Sequence, residues 1–311
     1  MSVAHDPAIE TDAPIPTWFG VGGRADALAR PRSVEELRAL LRRFDRVRVL
    51  GDGANMLVDD DGVDGLVVSL ENLRRVERPD PNDPGLLRVG AGANLPRLIV
   101  DTVRDGLSGL EGLAGVPASL GGAIVMNAGG AFGEIAQAVE RVRALTLDGE
   151  EIVRTRDEIP FGYRSSGLRD LIVVEADLRL TPAEDAAALR SRMKEVMSYK
   201  KGSQPMGERS AGCAFKNPTL PTGERVSAGM LIDRAGCKGE RVGGARVSDV
   251  HANFIVVDTA PGACTARDVV ALMRRVRARV LDHAGVTLEP EVAIWRRADQ
   301  PGDDPLAEAK P

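Results

Sequence analysis

Three short polar stretches carry the residue types that chemistry needs. Tyr163-Arg164-Ser165-Ser166 offers a guanidinium that stays charged at any physiological pH. The run from Ser210 to Pro218, SAGCAFKNP, supplies the thiol of Cys213, the ammonium of Lys216 and the amide of Asn217. Glu289-Pro290-Glu291 places two carboxylates beside a proline. Each stretch alone reads more readily as structural than as catalytic. As a set they supply a fixed cation, a thiol acid and a carboxylate, the ingredients of general acid–base work.

Glycine is the second signal. The chain has 34 glycines in 311 residues, well above the usual share of about 7%, and they cluster in GVGGRA (20–25), GDGANMLVDDDG (51–62) and GVPASLGGAIVMNAGG (115–130). Any one cluster reads as tight turns. Three together suggest main chain pressed against a ligand, with consecutive N–H groups of GDGAN and PASLGG converging on a pyrophosphate. The dinucleotide fingerprint G-x-G-x-x-G is not met, because its third glycine position holds Met56 in one cluster and Leu95 in GAGANL. No cluster continues as Gly-Lys-Ser or Gly-Lys-Thr, so a P-loop is excluded. The acidic run Asp59-Asp60-Asp61 lacks calcium-loop spacing, since Val68 stands where the closing glutamate belongs, and it reads as a solvated turn.

Composition narrows the classes further. Residues are 43% hydrophobic and 28% charged, with a net charge of −5, two tryptophans, two tyrosines and six phenylalanines. That leaves neither the basic footprint nor the stacking platforms of a nucleic-acid binder. The longest apolar runs, such as 253–257, are far too short to span a bilayer, and residues 1–16 carry no legible secretory signal, so a cytoplasmic location without membrane insertion is expected. Cys213, Cys237 and Cys264 form no C-x-x-C pair and read as free thiols of a reducing compartment. There is no G-x-S-x-G elbow, and His5, His251 and His283 stand in no zinc-binding arrangement, so no metal site is expected. His251 reads as a packing residue, and Cys237 and Cys264 as buried small residues.

The elements that must position these groups are partly legible. Ser33-x-x-Glu36 has capping-box form and opens a helix to Leu41. Strands are expected at 46–50, 65–70, 86–92 and 171–180, and a helix at 95–106 stopped by Gly106. Asp148-Gly149 lies between two alternating runs and predicts a hairpin, which argues against a purely doubly wound sheet. A helix follows Pro182, another runs from Thr265 to Asp282 with Gly285 as its stop, and a strand is expected from Val286 to Ile294. The composition shift at 181–186 suggests a domain boundary there, and the polar stretch beyond Arg297 reads as disordered.

TWFGVGGRAD (17–26), VLGDGANMLVDDDGVDGLVV (49–68), GLEGLAGVPASLGGAIVMNAGG (109–130), FGYRSS (161–166), SAGCAFKNP (210–218), AGMLIDRAGCKG (228–239), VSDVHANF (247–254) and LEPEV (288–292) resemble, in order and spacing, the UDP-N-acetylenolpyruvoylglucosamine reductase (MurB) family. The resemblance runs from about residue 17 to 295. It implies an α+β fold: an FAD-binding domain of the vanillyl-alcohol-oxidase (PCMH) type, made of two α+β subdomains, at 17–183, and a smaller α+β substrate-binding domain at 184–296. Residues 1–16 would be an N-terminal extension and 297–311 a tail. Only about 40 residues separate Arg164 from Gln204, so the chain resembles the shorter, type II form without the inserted substrate-clamping loop.

The activity this resemblance implies is NADPH-dependent reduction of the enolpyruvyl ether of a UDP-sugar in peptidoglycan precursor synthesis. Hydride from FAD adds to the terminal carbon, and negative charge develops on the adjacent carbon and its carboxylate. Arg164 matches the arginine that holds that carboxylate through two donors. Cys213 stands where the family more often has serine, as the acid that quenches the carbanion; a thiol with a pKa of about 8.5 is mostly protonated at neutral pH. Glu291 matches the glutamate that shares or relays a proton, a role that asks for a raised pKa. Tyr163, Lys216 and Asn217 match substrate contacts. Flavin contacts are implied at Gly51, Asp52, Gly53, Ala54, Asn55 and Met56 in one segment and at Pro117, Ser119, Gly121, Gly122, Ala123 and Asn127 in another. No cysteine or histidine lies in the glycine clusters, so the FAD is expected to be non-covalent. The alternative is another FAD-dependent oxidoreductase of the same superfamily acting on an alcohol or hydroxy acid. No protein partner is inferred.

Overall fold

A computed structural model describes residues 8–297 together with Asp304 and Leu306. The fold is α+β and divides into two compact units, each discontinuous in sequence. Unit 1 contains residues 8–11, Ala27–Asp52 and Gly65–Lys200; unit 2 contains Asp12–Asp26, Gly53–Asp64 and the chain from Lys201 on. Their cores are separate: one cluster gathers Leu37, Val68, Val89, Ile124 and Val174, the other Phe19, Leu57, Phe215, Ile232 and Met273.

Unit 1 holds most of two sheets. One has the order β1-β2-β5-β3 (β1 Ile9–Pro14, β2 Arg24–Ala29, β3 Val47–Leu50, β5 Val63–Ser69), with β3 and β5 parallel and Val47 opposite Leu66. Helix α1 (Val34–Leu41) begins at Ser33, whose hydroxyl accepts from Glu36 N at 3.2 Å, and it buries Leu37, Leu40 and Leu41. The other sheet is antiparallel: β6 (Val76–Glu77), β7 (Leu86–Gly90), β8 (Val139–Leu145), β9 (Glu151–Thr155) and β10 (Ile172–Arg179), in the order β9-β8-β10-β7-β6. The Asp148-Gly149 hairpin joins β8 to β9, with Leu145 facing Glu151 and Gly149 at φ +85°. Helix α2 (Leu95–Arg104) is capped by Asn94 and followed by Gly106 in the left-handed region. Helix α3 (Leu120–Val125) is short and capped by Ser119.

Helix α4 (Ala186–Ser203) belongs to unit 1 as far as Lys200, because Leu189 and Val196 are buried in that core and Tyr199 meets the Phe132 ring edge-on at 5.1 Å. The compact units therefore divide the chain differently from the shift in composition at 181–186. That shift marks the start of a solvated helix, not of a second core.

Unit 2 contains β4 (Met56–Val58), paired in parallel with β14 (Ala293–Trp295), and an antiparallel sheet of β11 (Arg241–Val242), β12 (Ala245–Val247) and β13 (Ile255–Val257). Its helices are α5 (Ala228–Arg234) and α6 (Ala266–Ala284). Helix α6 opens with a capping box, Thr265 with Asp268, and ends at the expected Gly285 with φ +66°. The strand expected from Val286 is regular only over β14. Pro290 interrupts the ladder, and residues 289–291 instead bond outward to residues 214–216. Part of the stretch expected to be disordered is ordered: Leu306 is 1% exposed, and its carbonyl accepts from Arg274 and Arg277 of α6. Leu306 is the one large apolar side chain of that segment, and it has a core to join.

Candidate active site

The two glycine-rich segments behave differently. Main-chain amides of Asp52, Gly53 and Ala54 have no acceptor among the described residues, which leaves the GDGAN turn open toward an anion. Gly53 makes that turn possible: its φ is +66°, and a Cβ there would stand 2.2 Å from the Pro16 carbonyl oxygen. In PASLGG, by contrast, the amides of Leu120, Gly121 and Gly122 are already used, as is that of Ala123 just beyond it. Leu120 N donates to Ala93 O and Gly121 N to Ala91 O, both at 2.8 Å, while Gly122 N meets the Ser119 hydroxyl at 3.3 Å and Ala123 N the Ser119 carbonyl at 2.9 Å. The loop after β7 takes two of those four amides and the Ser119 cap takes the other two. Small residues here also serve close packing. A Cβ on Gly121 would lie 2.9 Å from the Ala91 Cβ, and one on Gly51 2.7 Å from Ser119 Oγ. Pro117 precedes this helix start and is partly exposed.

Asp52 Oδ2 accepts from Asn94 Nδ2 at 3.5 Å. Although the Asp52 side chain reaches solvent, restricted hydration raises its carboxyl above the ordinary value. The implied FAD is compatible with this turn, since open amides in a glycine turn are what a pyrophosphate requires.

Asn127 is 1% exposed with φ +44°, and both ends of its amide are engaged: Nδ2 donates to Gly162 O at 2.9 Å, and Oδ1 accepts from Ala136 N at 3.3 Å. Its visible role is to hold the turn that carries Tyr163 and Arg164. That turn closes with Gly162 N to Ser165 O at 2.9 Å and Ser165 N to Gly162 O at 3.2 Å, and the buried Ser166 hydroxyl pins it to Val125 O at 2.9 Å. Arg164 sits at φ +53°, a conformation that costs a side-chain-bearing residue free energy. Its Nη1 donates to Gly129 O at 2.9 Å, and its guanidinium lies 5.4 Å from the Tyr163 ring centroid. Nearby is Lys200, which sequence reasoning passed over. Its stem lies against Gly115, and burial together with the Arg164 charge pushes its ammonium down to about 8.

In unit 2 the SAGCAFKNP stretch is an extended strap. Cys213, half-exposed, pairs with Phe254, and Phe215 with Pro290, as isolated antiparallel bridges. Ala214 O accepts from Glu291 N at 2.9 Å, so the stretches carrying Cys213 and Glu291 run side by side. Lys216 N donates to Glu289 O at 2.9 Å, and its ammonium pairs with the Glu289 carboxylate. Asn217 Oδ1 accepts from Ala228 N at 2.9 Å at the start of α5, one visible task for that side chain. Asn55 reaches the same assembly: its Nδ2 donates to Glu291 O at 3.1 Å, and its carbonyl accepts from Ala293 N at 3.1 Å. Ala54 and Met56 are buried. Arg164 belongs to unit 1, whereas Cys213 and Glu291 belong to unit 2.

The remaining residues resolve as scaffold. His251 packs edge-on against Phe254 at 4.9 Å, accepts from Asn253 N at 3.2 Å, and burial lowers its pKa. Burial raises the Cys237 thiol and pushes Cys264 up to about 11. Asp60, in the acidic run, accepts from Ala266 N at 2.8 Å and Arg267 N at 2.9 Å, so its carboxylate caps α6. No group of three metal-ligating side chains occurs among the described residues. Nor is any helix among them long and apolar enough to cross a membrane. A cleft of about 550 Å³ lined by Arg78, Arg97 and Asp105 and one of about 340 Å³ lined by Met230 and His251 contain none of the predicted site residues.

Comparison with known proteins gives concordant findings. A family model described as UDP-N-acetylenolpyruvoylglucosamine reductase, C-terminal domain, matches residues 204–295, and one described as an FAD binding domain matches residues 25–155. The chain is 41% identical over 292 residues to the UDP-N-acetylenolpyruvoylglucosamine reductase of Desulfosudis oleivorans, covering 89% of this chain and 91% of that one. It is 42% identical over 291 residues to the protein of that name from Syntrophobacter fumaroxidans, covering 89% and 80%. Among solved structures, that of the reductase MurB from Thermus caldophilus superposes with a TM-score of 0.76 at 39% identity, covering 93% of this chain and 98% of that one.

Proposed function

The chain belongs to the UDP-N-acetylenolpyruvoylglucosamine reductase family, and from that premise we propose that it reduces UDP-N-acetylenolpyruvoylglucosamine to UDP-N-acetylmuramate with a bound FAD and NADPH as electron source. The observation that carries the reading is the pairing of Ala214 with Glu291, which keeps a thiol and a carboxyl group on neighbouring stretches. The alcohol or hydroxy-acid oxidase reading is not favoured, because relatives at about this identity bear the reductase name.

The open amides of the GDGAN turn would hold FAD non-covalently, and FAD so held would supply the two-electron chemistry between nicotinamide and the enolpyruvyl double bond. The protein's own groups do the rest. Arg164, held by its bond to Gly129 O, grips the substrate carboxylate and stabilises the charge that spreads onto it. The Cys213 thiol delivers a proton to the carbon beside that carboxylate, and solvent restores the proton to sulfur. Glu291 exchanges a proton with the charged intermediate. Lys216 and Asn217 meet the UDP-sugar, with Tyr163 flanking the carboxylate, in a type II frame without the clamping loop. The work is done in the cytoplasm, as a step toward peptidoglycan.

The test is spectroscopic. Purified protein should be yellow, bleach when NADPH is added anaerobically and recolour with the enolpyruvyl substrate. A protein with no affinity for FAD, or a reduced flavin indifferent to that substrate, refutes the assignment.

A further inference from the structure

The stretch bearing Cys213 is not part of a regular sheet, yet it is held as firmly as one. Asn253 is 2% exposed and spends its whole side chain on the Phe215 peptide: Phe215 N donates to Oδ1 at 3.0 Å, and Nδ2 donates to Phe215 O at 2.8 Å. Its main-chain carbonyl accepts from Ala214 N at 2.7 Å, and its neighbour Phe254 bridges Cys213. On the far side of the same stretch, Ala214 O accepts from Glu291 N and Lys216 N donates to Glu289 O, both at 2.9 Å. Residues 213–216 are therefore threaded between two partners, one of which uses a side-chain carboxamide where a strand would use its backbone. A carboxamide suits this because it presents a donor and an acceptor with the spacing of a peptide. The Asn253 main chain is in turn held by His251, whose Nδ1 accepts from Asn253 N at 3.2 Å and whose ring packs on Phe254. Burial lowers the His251 pKa, which favours the neutral ring that this acceptor role needs.

We propose that Asn253 is a positioning residue for the proton-transfer step: it fixes the register of the strap so that the Cys213 thiol and the Glu291 carboxyl address the same substrate carbon. The inference rests on the reading of Cys213 as the proton donor. It implies a division between the two half-reactions. Electron transfer from NADPH to the flavin needs no proton from Cys213 and is indifferent to Asn253. Reoxidation of the flavin by the enolpyruvyl substrate needs that proton and depends on it.

Asn253→Asp is the informative variant, since it keeps the shape and the bond from Phe215 N but places an acceptor against Phe215 O. In the FAD-loaded enzyme, the rate of bleaching by NADPH should stay within about twofold of the parent, and the substrate-driven return of colour should slow at least tenfold. A double-mutant cycle with Cys213→Ala makes the test specific: if Asn253 acts through Cys213, the double variant is no slower than Cys213→Ala alone. Additive losses, or parental recolouring in Asn253→Asp, overturn the inference while leaving Cys213 in place. Parental recolouring in Cys213→Ala overturns the donor reading itself, and the inference with it. If Asn253→Asp yields no folded flavoprotein, Asn253→Ser runs the same cycle against the same criteria.

Discussion

Arg164 carries a contradiction that can be measured. Its left-handed backbone, φ +53°, costs about 1–2 kcal/mol for a residue with a Cβ. A glycine there would recover that strain, at an entropic cost in the unfolded chain of about 0.4–1 kcal/mol. Both Arg164→Gly and Arg164→Ala lose the bond to Gly129 O and the contact with the Tyr163 ring, so these losses cancel between them. The difference isolates the backbone: the glycine variant should be the more stable by about 0.5–1 kcal/mol, the reverse of the usual order at ordinary positions. Activity should not follow stability. Removing a charged partner of the substrate carboxylate costs about 2–5 kcal/mol, or roughly 30- to several-thousand-fold in the substrate-driven step, in both variants alike. Arg164→Lys keeps the charge but not the two-pronged grip, and should fall between them and the parent. Urea midpoints of the three variants, with stopped-flow absorbance of the two half-reactions, read all of this. An alanine variant as stable as the glycine one would remove the strain argument, and an undiminished lysine variant would remove the need for a guanidinium.

Cys213→Ser should keep substantial turnover, whereas Cys213→Ala should lose substrate reduction and retain bleaching by NADPH; full turnover by the alanine variant contradicts the donor role. Lys200, held near pKa 8 against about 10.5 in the unfolded chain, destabilises the flavin-free protein fully below pH 8, and this penalty fades as pH rises from 8 to 10.5. Lys200→Met should therefore raise the melting temperature of the flavin-free protein at pH 7 and lose that advantage near pH 10; a gain that persists at high pH would point to packing instead. Asp60→Ala should lower stability by about 1–2 kcal/mol through the lost α6 cap without changing FAD affinity. Millimolar calcium should leave the parent's melting temperature unmoved, and a rise of several degrees would reinstate the acidic run as a cation site.

What the sequence made legible was local. The capping residues of α1 and α6, the glycine stops at 106 and 285 and the Asp148-Gly149 hairpin are decided by neighbours within a few positions, and each stands as expected. The eight collinear motifs likewise pointed to the family. The rest depends on residues far apart in the chain. Pairing of β4 with β14 joins residue 56 to residue 293 and makes the units discontinuous. The engagement of the Leu120 and Gly121 amides was not legible because nothing nearby in sequence reveals that the carbonyls of Ala93 and Ala91 reach them. Asp60 looked solvated for the same reason, its helix lying some two hundred positions downstream. In sequence Asn253 is one letter of the VSDVHANF motif; its significance lies in facing Phe215, which periodicity does not encode.

The most direct test of the account is an anaerobic single turnover. Enzyme reduced stoichiometrically with NADPH and freed of nicotinamide is mixed with the enolpyruvyl UDP-sugar, while flavin absorbance and product mass are followed together. The account predicts one oxidised flavin and one product carrying an added pair of hydrogens for every flavin reduced at the start. A flavin that stays bleached until oxygen is admitted, with the UDP-sugar unchanged, would contradict it.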